Sequence, residues 1–217
     1  MSPRAARLSR ESIIATALQI TARSDRGDGL PLTGRTLGDA LGVDRSAVWR
    51  HFTDKDDLLL AVADELLAPV SAAIDADAPP AARLRTVWDE TYRSFSAHPR
   101  VAAELICRSI TGPQAMTVID AVVGAFRALG LDPGRSALAY RAFIDMLLSY
   151  AAMESAYSLL TPEQRDRDDT ETEVALRRLD PGSHPDARSA VEEIVAVRSD
   201  DVRELLLASF LRGVLTA

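Results

Sequence analysis

Two short helical segments, at about 35–41 and 44–51, restrict the folds open to this chain more than any other part of its sequence. Only Gly42 and Val43 separate them. Helices of about two turns cannot bury a core alone, but a tight turn lets such a pair cross as a helix-turn-helix. Gly42 stands where a helix C-terminus favours a left-handed residue, because glycine has no Cβ to clash there. The apolar residues that would fill the wedge between the two helices are Leu37, Leu41, Val43, Val48 and Phe52.

Most of the remaining chain also has apolar residues at helical spacing. No sustained alternation typical of strands is present in the sequence, so it predicts an all-α fold. Thr161 to Gln164 could cap a short helix, but the stretch 161–186 is the most polar of the chain, and we expect a mobile excursion there. The further helices are predicted at about 9–22, 54–74, 81–97, 100–110, 113–129, 134–160 and 200–215.

Charge is divided unevenly along the chain. The total is −7 at pH 7, which argues against a general binder of polyanions or of anionic membranes. Through Lys55, however, nine basic residues stand against six acidic ones, a net +3, while 16 basic and 26 acidic residues give −10 beyond it. An acidic body would repel DNA except where the basic part faces it. We therefore predict a helix-turn-helix domain at 1–57 and a larger helical domain at 58–217.

Several classes of site are not indicated by the sequence. The longest stretches without a charged residue have 11 residues, whereas a membrane span needs about 20. The N-terminus does not resemble a secretory signal, and the single cysteine, Cys107, suits a reducing cytoplasm. The histidines, His51, His98 and His184, are too scattered for a metal site. No phosphate loop or nucleophile elbow is present, so we expect neither a cofactor nor catalysis.

The second short segment carries the candidate DNA contacts. Asp44 can cap it, which leaves Arg45, Ser46 and Ala47 in its exposed first turn, the part of a helix-turn-helix that enters the major groove. Arg45 can donate two hydrogen bonds to guanine, Ser46 can bond to a base edge or a phosphate, and Ala47 can touch a thymine methyl. An ordinary solvated arginine is the alternative interpretation of Arg45.

Phosphate contacts are predicted where this helix leaves the groove. Trp49, His51 and Lys55 can all donate to phosphate oxygens there, although Trp49 could instead lie in the core and the other two could serve as caps or surface residues. The arginines Arg4, Arg7 and Arg10 could add contacts as an arm. The complete set of candidate DNA contacts is Arg35, Thr36, Arg45, Ser46, Ala47, Trp49, Arg50, His51 and Lys55.

In the larger domain, aromatic and methionine side chains are candidates for the lining of a pocket. Core packing is the alternative for each of them. Glu104 and Arg108, one turn apart, could anchor a polar ligand or form an ion pair within their helix. The candidate ligand contacts are Trp88, Tyr92, Phe95, Glu104, Arg108, Met116, Phe126, Phe143, Met146 and Tyr150.

Two helices have more apolar surface than one core needs. Helix 134–160 carries a continuous stripe, and the apolar residues of helix 200–215 wrap more than half of its circumference. We therefore predict a homodimer through a four-helix interface built from these two helices. The stripe consists of Phe143, Met146, Tyr150, Met153 and Tyr157.

Residues from about 9 to 67 resemble the TetR (tetracycline-repressor) family of bacterial transcriptional regulators. The resemblance depends on six matching segments: Leu8-Ser-Arg-Glu-Ser-Ile-Ile, Leu32-Thr, Leu37, Leu41-Gly-Val, Trp49-Arg-His-Phe and Lys55-Asp-Asp-Leu-Leu. At the position of Trp49 the family usually has a tyrosine that contacts phosphate, so here an indole NH would replace a phenol OH. The resemblance implies a homodimer whose subunits carry a three-helix DNA-binding domain and a larger helical domain that binds a small effector and releases DNA.

The leading hypothesis is a ligand-responsive repressor that binds a pseudopalindromic operator as a dimer through the 44–51 recognition helix. An all-helical small-molecule binding protein without specific DNA binding is the alternative. The exposed pair Arg45 and Ser46 and the arm arginines count against that alternative.

Overall fold

A computed structural model of the chain describes residues 8–22, 29–105 and 108–216. Every regular element in these ranges is a helix, which confirms the all-α prediction. The helices form two compact units, Met1–Leu159 with α1 to α9 and Leu160–Ala217 with α10 to α13. Their bounds are α1 Arg10–Thr21, α2 Gly34–Leu41, α3 Arg45–Val48, α4 Lys55–Leu66, α5 Ala68–Ala73, α6 Pro80–Ser96, α7 Pro99–Glu104, α8 Pro113–Ala128, α9 Pro133–Ser158, α10 Pro162–Arg177, α11 Pro185–Ser189, α12 Val191–Ala196 and α13 Ser199–Thr216.

Side-chain caps fix where the first helices begin. Ser9 and Thr33 each form a capping box at the start of α1 and α2, and a carboxylate oxygen of Asp44 accepts from the Ser46 amide at 2.8 Å at the start of α3. Gly42 ends α2 in the left-handed region with φ 67°, as predicted. The predicted helix 44–51 is shorter in the structure, because turns with a three-residue hydrogen-bond spacing replace the α-helix after Val48.

Two other predicted helices are also interrupted. The segment predicted as one helix at 54–74 forms α4 and α5, with Leu67 between them. Pro69 explains the break, because it has no N–H to donate to the carbonyl of Glu65 four residues earlier. The helix predicted at 100–110 is the shorter α7, and residues 108–110 are not helical.

The core of the first unit lies among α6, α8 and α9, which pack against one another. The ring of Phe143 on α9 has its centroid 5.6 Å from that of Trp88 on α6 and 6.1 Å from that of Phe126 on α8. All three side chains are completely buried. Large aromatic side chains contribute strongly to stability when they are buried, so these three rings help to hold α6, α8 and α9 together.

In the second unit, α10 occupies much of the stretch where we expected a mobile excursion. Thr161 begins this 16-residue helix with a capping box to Gln164 and is followed by a proline at the first helical position, so the local start signals outweigh the polar composition. Arg177 supports its C-terminal end, since the guanidinium pairs with Glu173 and Glu192. The pairing raises the pKa of Arg177, chiefly through its hydrogen bond to Glu192.

Candidate nucleic-acid interface and ligand pocket

The first turn of α3 is a rigidly supported, solvent-exposed edge. Arg45 and Ser46 are exposed, and Ala47 is half-buried beside them. The Ser46 hydrogen bond to Asp44 lowers the pKa of that carboxyl group, so the cap stays ionised at neutral pH. Behind the turn, Gly38 of α2 lies so close to α3 that a Cβ would be 2.9 Å from the Val43 carbonyl oxygen. The close approach of the two backbones therefore sets the position of the exposed turn.

Trp49 lies against the start of α2 and is only partly exposed. Its side chain keeps 36% of its surface accessible, and a Cβ on Gly34 would lie 2.7 Å from its Nε1. Arg50 is exposed and His51 is half-buried. The indole is therefore positioned by Gly34 and still has an edge in solvent.

Arg35 and Thr36, the two predicted DNA contacts on α2, differ in how far their side chains are engaged by other groups. The Arg35 side chain is 88% exposed and approaches Asp39 only at 4.0 Å. The Thr36 hydroxyl, in contrast, is used locally, since it donates to the Pro31 carbonyl at 2.7 Å and accepts from the Thr33 amide at 3.1 Å. Its first role is to begin the helix.

Arg10 joins α1 to the start of α4. Its guanidinium lies 4.2 Å from the centre of the Phe52 ring, donates to the His51 carbonyl at 2.9 Å and pairs with Asp57 at 2.7 Å. The Arg10 hydrogen bond lowers the pKa of Asp57. Arg10 thus holds the segment after α3 in place, whereas Arg4 and Arg7 lie outside the described residues.

The sequence did not suggest the ion pairs that connect α4 to the α7 segment. Lys55 Nζ lies 2.5 Å from Glu104 Oε2, and Arg108 Nη1 lies 2.9 Å from Asp56 Oδ2. Both pairs join residues about 50 positions apart, so no helical spacing could have indicated them. The Lys55 ammonium is therefore already paired with a carboxylate, and another anion would have to displace Glu104 to bind it.

Another contact that the sequence did not suggest involves the buried Asp64 of α4. Its carboxylate accepts from the backbone amides of Gln114 and Ala115 at 3.3 and 2.9 Å, at the start of α8. It fills the space beside Gly112, where a Cβ would lie 2.1 Å from the carboxylate carbon. A carboxylate is favourable at a helix N-terminus, so Asp64 fastens α4 to α8.

A cavity of about 110 Å³ opens between α6, α8 and α9 and the segment after α7. Its walls are mainly aliphatic, and Arg108, Tyr140, Arg141 and Asp145 add polar groups. Thr91, a residue that is 2% exposed, has a buried hydroxyl with no hydrogen-bond partner among the described residues. The lining residues are Leu67, Thr91, Arg108, Ser109, Ile110, Ala115, Val118, Ile119, Tyr140, Arg141, Ile144, Asp145 and Leu148.

Residues 79–217 match the model of the tetracyclin repressor-like C-terminal domain. The chain belongs to the TetR family of transcriptional regulators. This confirms the resemblance recognised in the N-terminal residues, which lie outside the matched range. No curated protein matches the sequence.

Solved structures of TetR-family proteins share the fold. Apo ActR from Streptomyces coelicolor is 23% identical with a TM-score of 0.80, covering 97% of this chain and 96% of its own. ActR in complex with actinorhodin is 24% identical with a TM-score of 0.80, and the match covers 99% and 97% of the two chains. TetR from Acinetobacter baumannii AYE is 20% identical with a TM-score of 0.65, covering 95% and 96%. Because all three identities are below 25%, these similarities show a shared fold.

In this TetR-family chain, nine of the ten residues that we predicted as ligand contacts do not line the described cavity, and five of these nine lie in the core. Trp88, Phe95, Phe126, Phe143 and Tyr150 are buried. Tyr92 contacts Tyr150, with ring centroids 6.1 Å apart. Met116 is 45% exposed, Met146 is half-buried, and Glu104 is exposed and paired with Lys55. Of the predicted set, Arg108 lines the cavity.

Cys107 lies outside the described residues. Within the described part of the chain, no helix combines the length and the apolar character needed to cross a bilayer.

Proposed function

We propose that this TetR-family chain is a ligand-responsive repressor that binds a pseudopalindromic DNA operator as a homodimer. The observation that carries the proposal is the exposed first turn of α3, capped by Asp44 and positioned by Gly38. It presents Arg45 and Ser46 to solvent, the residue types that read base edges in the major groove.

The proposed DNA-binding domain comprises residues 1–57, whose boundary falls in the first turn of α4. Segment 44–51 would enter the groove, Trp49 and Arg50 would lie near the phosphate backbone, and Lys55 would reach a phosphate once Glu104 releases it. Arg35 is exposed and available for the same backbone. The remaining proposed contacts are Thr36, Ser46, Ala47 and His51.

The proposed dimer explains apolar side chains that each unit leaves in solvent. On α9, Leu138 is 71% exposed, Met153 54% and Tyr157 40%, and on α13 Leu205 is 62% exposed. A contiguous apolar surface marks an interaction site, and these side chains would form one where the partner's copies of α9 and α13 meet them. We assign the homodimer contacts to 134–160 and 200–215. Two recognition helices about 34 Å apart would then meet successive major grooves.

The proposed effector domain is 58–217, and the cavity beside Thr91 and Arg108 is its candidate site. ActR, a protein of the same fold, has been solved in complex with actinorhodin, which supports effector binding by this chain. An effector that binds one arrangement of the two subunits more tightly than the other would favour that arrangement. The separation of the two recognition helices would change with it.

Selection from random duplexes by the purified full chain tests the proposal. Enriched sequences with two inverted half-sites, bound at least 100-fold more tightly than unrelated duplex, are the expected result. If all duplexes bind equally and with the same salt dependence, the alternative holds: the chain is a helical small-molecule binding protein without specific DNA binding.

A further inference from the structure

The cavity has an unbalanced set of polar groups. Among its lining residues, Arg141 is neutralised by Asp145, since Nε lies 2.7 Å from Oδ2 on the next turn of α9. Arg108 has no carboxylate partner in the lining; its partner, Asp56, belongs to α4 outside the cavity. The lining therefore carries a net charge of +1, which favours an anionic ligand group.

The pair between Arg108 and Asp56 is weak enough to be exchanged. The Arg108 and Asp56 side chains are 35% and 57% exposed, and exposed ion pairs contribute little to stability because water screens them. A ligand carboxylate at the cavity mouth would bind the same guanidinium in a less hydrated setting, where charge-assisted hydrogen bonds are stronger.

Thr91 defines the interior of the cavity. Its hydroxyl is almost completely buried and has no hydrogen-bond partner among the described residues, an arrangement that costs free energy until a partner arrives. The neighbouring walls are aliphatic, from Leu67, Ala115 and Val118. A ligand with an apolar body and a polar substituent at its inner end would satisfy this hydroxyl.

Tyr140 adds a neutral donor to the lining. A phenol is protonated at neutral pH and can donate a hydrogen bond, and burial raises the pKa of Tyr140 further above that range.

The cavity volume limits the ligand. About 110 Å³ is somewhat less than the roughly 150 Å³ of an engineered cavity that holds benzene. One ring can enter if its charged substituent remains at the open mouth, but two fused rings cannot without movement of the helices.

Building on the proposed function, we propose that the effector is a small amphipathic organic acid with a single ring. Its carboxylate binds Arg108, displacing Asp56, and its body occupies the aliphatic chamber. A polar substituent on the ring hydrogen-bonds to Thr91. Ligand binding thereby removes one of the ion pairs that hold the start of α4, next to Lys55, against the segment after α7.

Isothermal titration of the full chain with benzoate, benzamide and 2-naphthoate tests the charge and the size. Benzoate should bind at least ten-fold more tightly than the neutral benzamide and more tightly than 2-naphthoate. The preference for benzoate over benzamide should disappear in Arg108→Gln. It should persist in Arg93→Gln, which removes the same charge from an exposed arginine of α6 paired with Glu90.

The Thr91 contact is tested with 4-hydroxybenzoate. We expect the parent chain to bind 4-hydroxybenzoate more tightly than benzoate. This difference should vanish in Thr91→Val, which has the same shape without the hydroxyl, while benzoate itself binds as before. Circular dichroism confirms that each variant is folded.

Equal binding of benzoate and benzamide, an unchanged preference in Arg108→Gln, or no binding of any of these probes would overturn the proposed ligand class. These titrations contain no DNA, so they fail independently of the proposed function. The absence of specific duplex binding in the selection experiment would refute the proposed repressor function, whatever ligand the cavity binds.

Discussion

In the α2–α3 region the polar side chains that can bind a ligand face solvent. Between α6, α8 and α9, in contrast, the large aromatic side chains pack against one another. The short helix α3 packs against its neighbours through Val48, which is buried. Arg45 and Ser46 lie on the side that faces away from that contact and are exposed. In the larger helices, Trp88 and Phe143 are completely buried. The difference shows that a surface site can be built from one short segment, while a cavity takes its lining from whatever several helices leave unfilled.

The largest expected effect distinguishes core from cavity. Phe143→Ala should lower the free energy of unfolding by about 3–5 kcal/mol, because its ring packs between Trp88 and Phe126. Chemical denaturation measures the loss. Ile144→Ala, at the neighbouring half-buried position that lines the cavity, should cost less. A nearly unchanged stability in Phe143→Ala, with ligand binding lost, would place the aromatic cluster in the binding site after all.

The next prediction concerns how α2 positions α3. In Gly38→Ala the new Cβ would lie 2.9 Å from the Val43 carbonyl oxygen and 3.3 Å from the Arg45 Cα, both backbone atoms. We expect a loss of about 1–3 kcal/mol in stability and a marked loss of specific DNA affinity, measured by fluorescence anisotropy. Gly124→Ala in α8, where nothing lies within 4 Å, is the control and should raise stability slightly.

Arg45 and Lys55 should differ in what they contribute to DNA binding. Arg45→Ala should weaken a selected operator by about 1–3 kcal/mol and relax the base preference at one position. Lys55→Ala should weaken all duplexes alike and reduce the salt slope by about 1. Competition titrations at several salt concentrations separate the two. Identical effects of both substitutions would show that the assigned roles are mistaken.

Asp57 gives a pH-dependent prediction for the N-terminal helices. Arg10 holds its pKa below the ordinary 3.8, so its contribution to stability is complete above that value and is lost as the pH falls through the lowered pKa of the folded state. Asp57→Asn should cost about 1 kcal/mol at pH 7, as expected for a partly exposed pair. Denaturation across pH 2–7 should show the variant and the parent converging at the acid end; a constant gap would contradict the assignment.

The smallest effect involves the ion pair of Lys55. Glu104→Gln should raise the affinity for every duplex up to about five-fold, because Lys55 no longer has a carboxylate partner at 2.5 Å. Glu171→Gln, which removes an exposed negative charge from α10, controls for net charge. Equal gains in both variants would mean that overall charge, not release of Lys55, is responsible.

Local signals in the sequence located the helix-turn-helix, through the turn at Gly42 and the cap at Asp44, but they did not indicate the cap at Thr33 or the end of α3 at Val48. The cap at Asp44 and the left-handed Gly42 are interactions between neighbours in the chain, so their residue types specify the geometry directly. The same applies to the start of α10, where the Thr161 capping box was recognised but its consequence underestimated. The helical spacing predicts one helix across Leu67, although Pro69 is a local signal for the break there.

By itself, the sequence determined the all-α class, the family and the exposed face of α3, since helical period and capping act over a few residues. Only the tertiary structure decided which larger side chains line a cavity and which fill the core. It also decided that Lys55 and Arg108 are paired across about 50 residues with Glu104 and Asp56. Those outcomes depend on how whole helices pack, and helical periodicity specifies which face is apolar without specifying what that face meets.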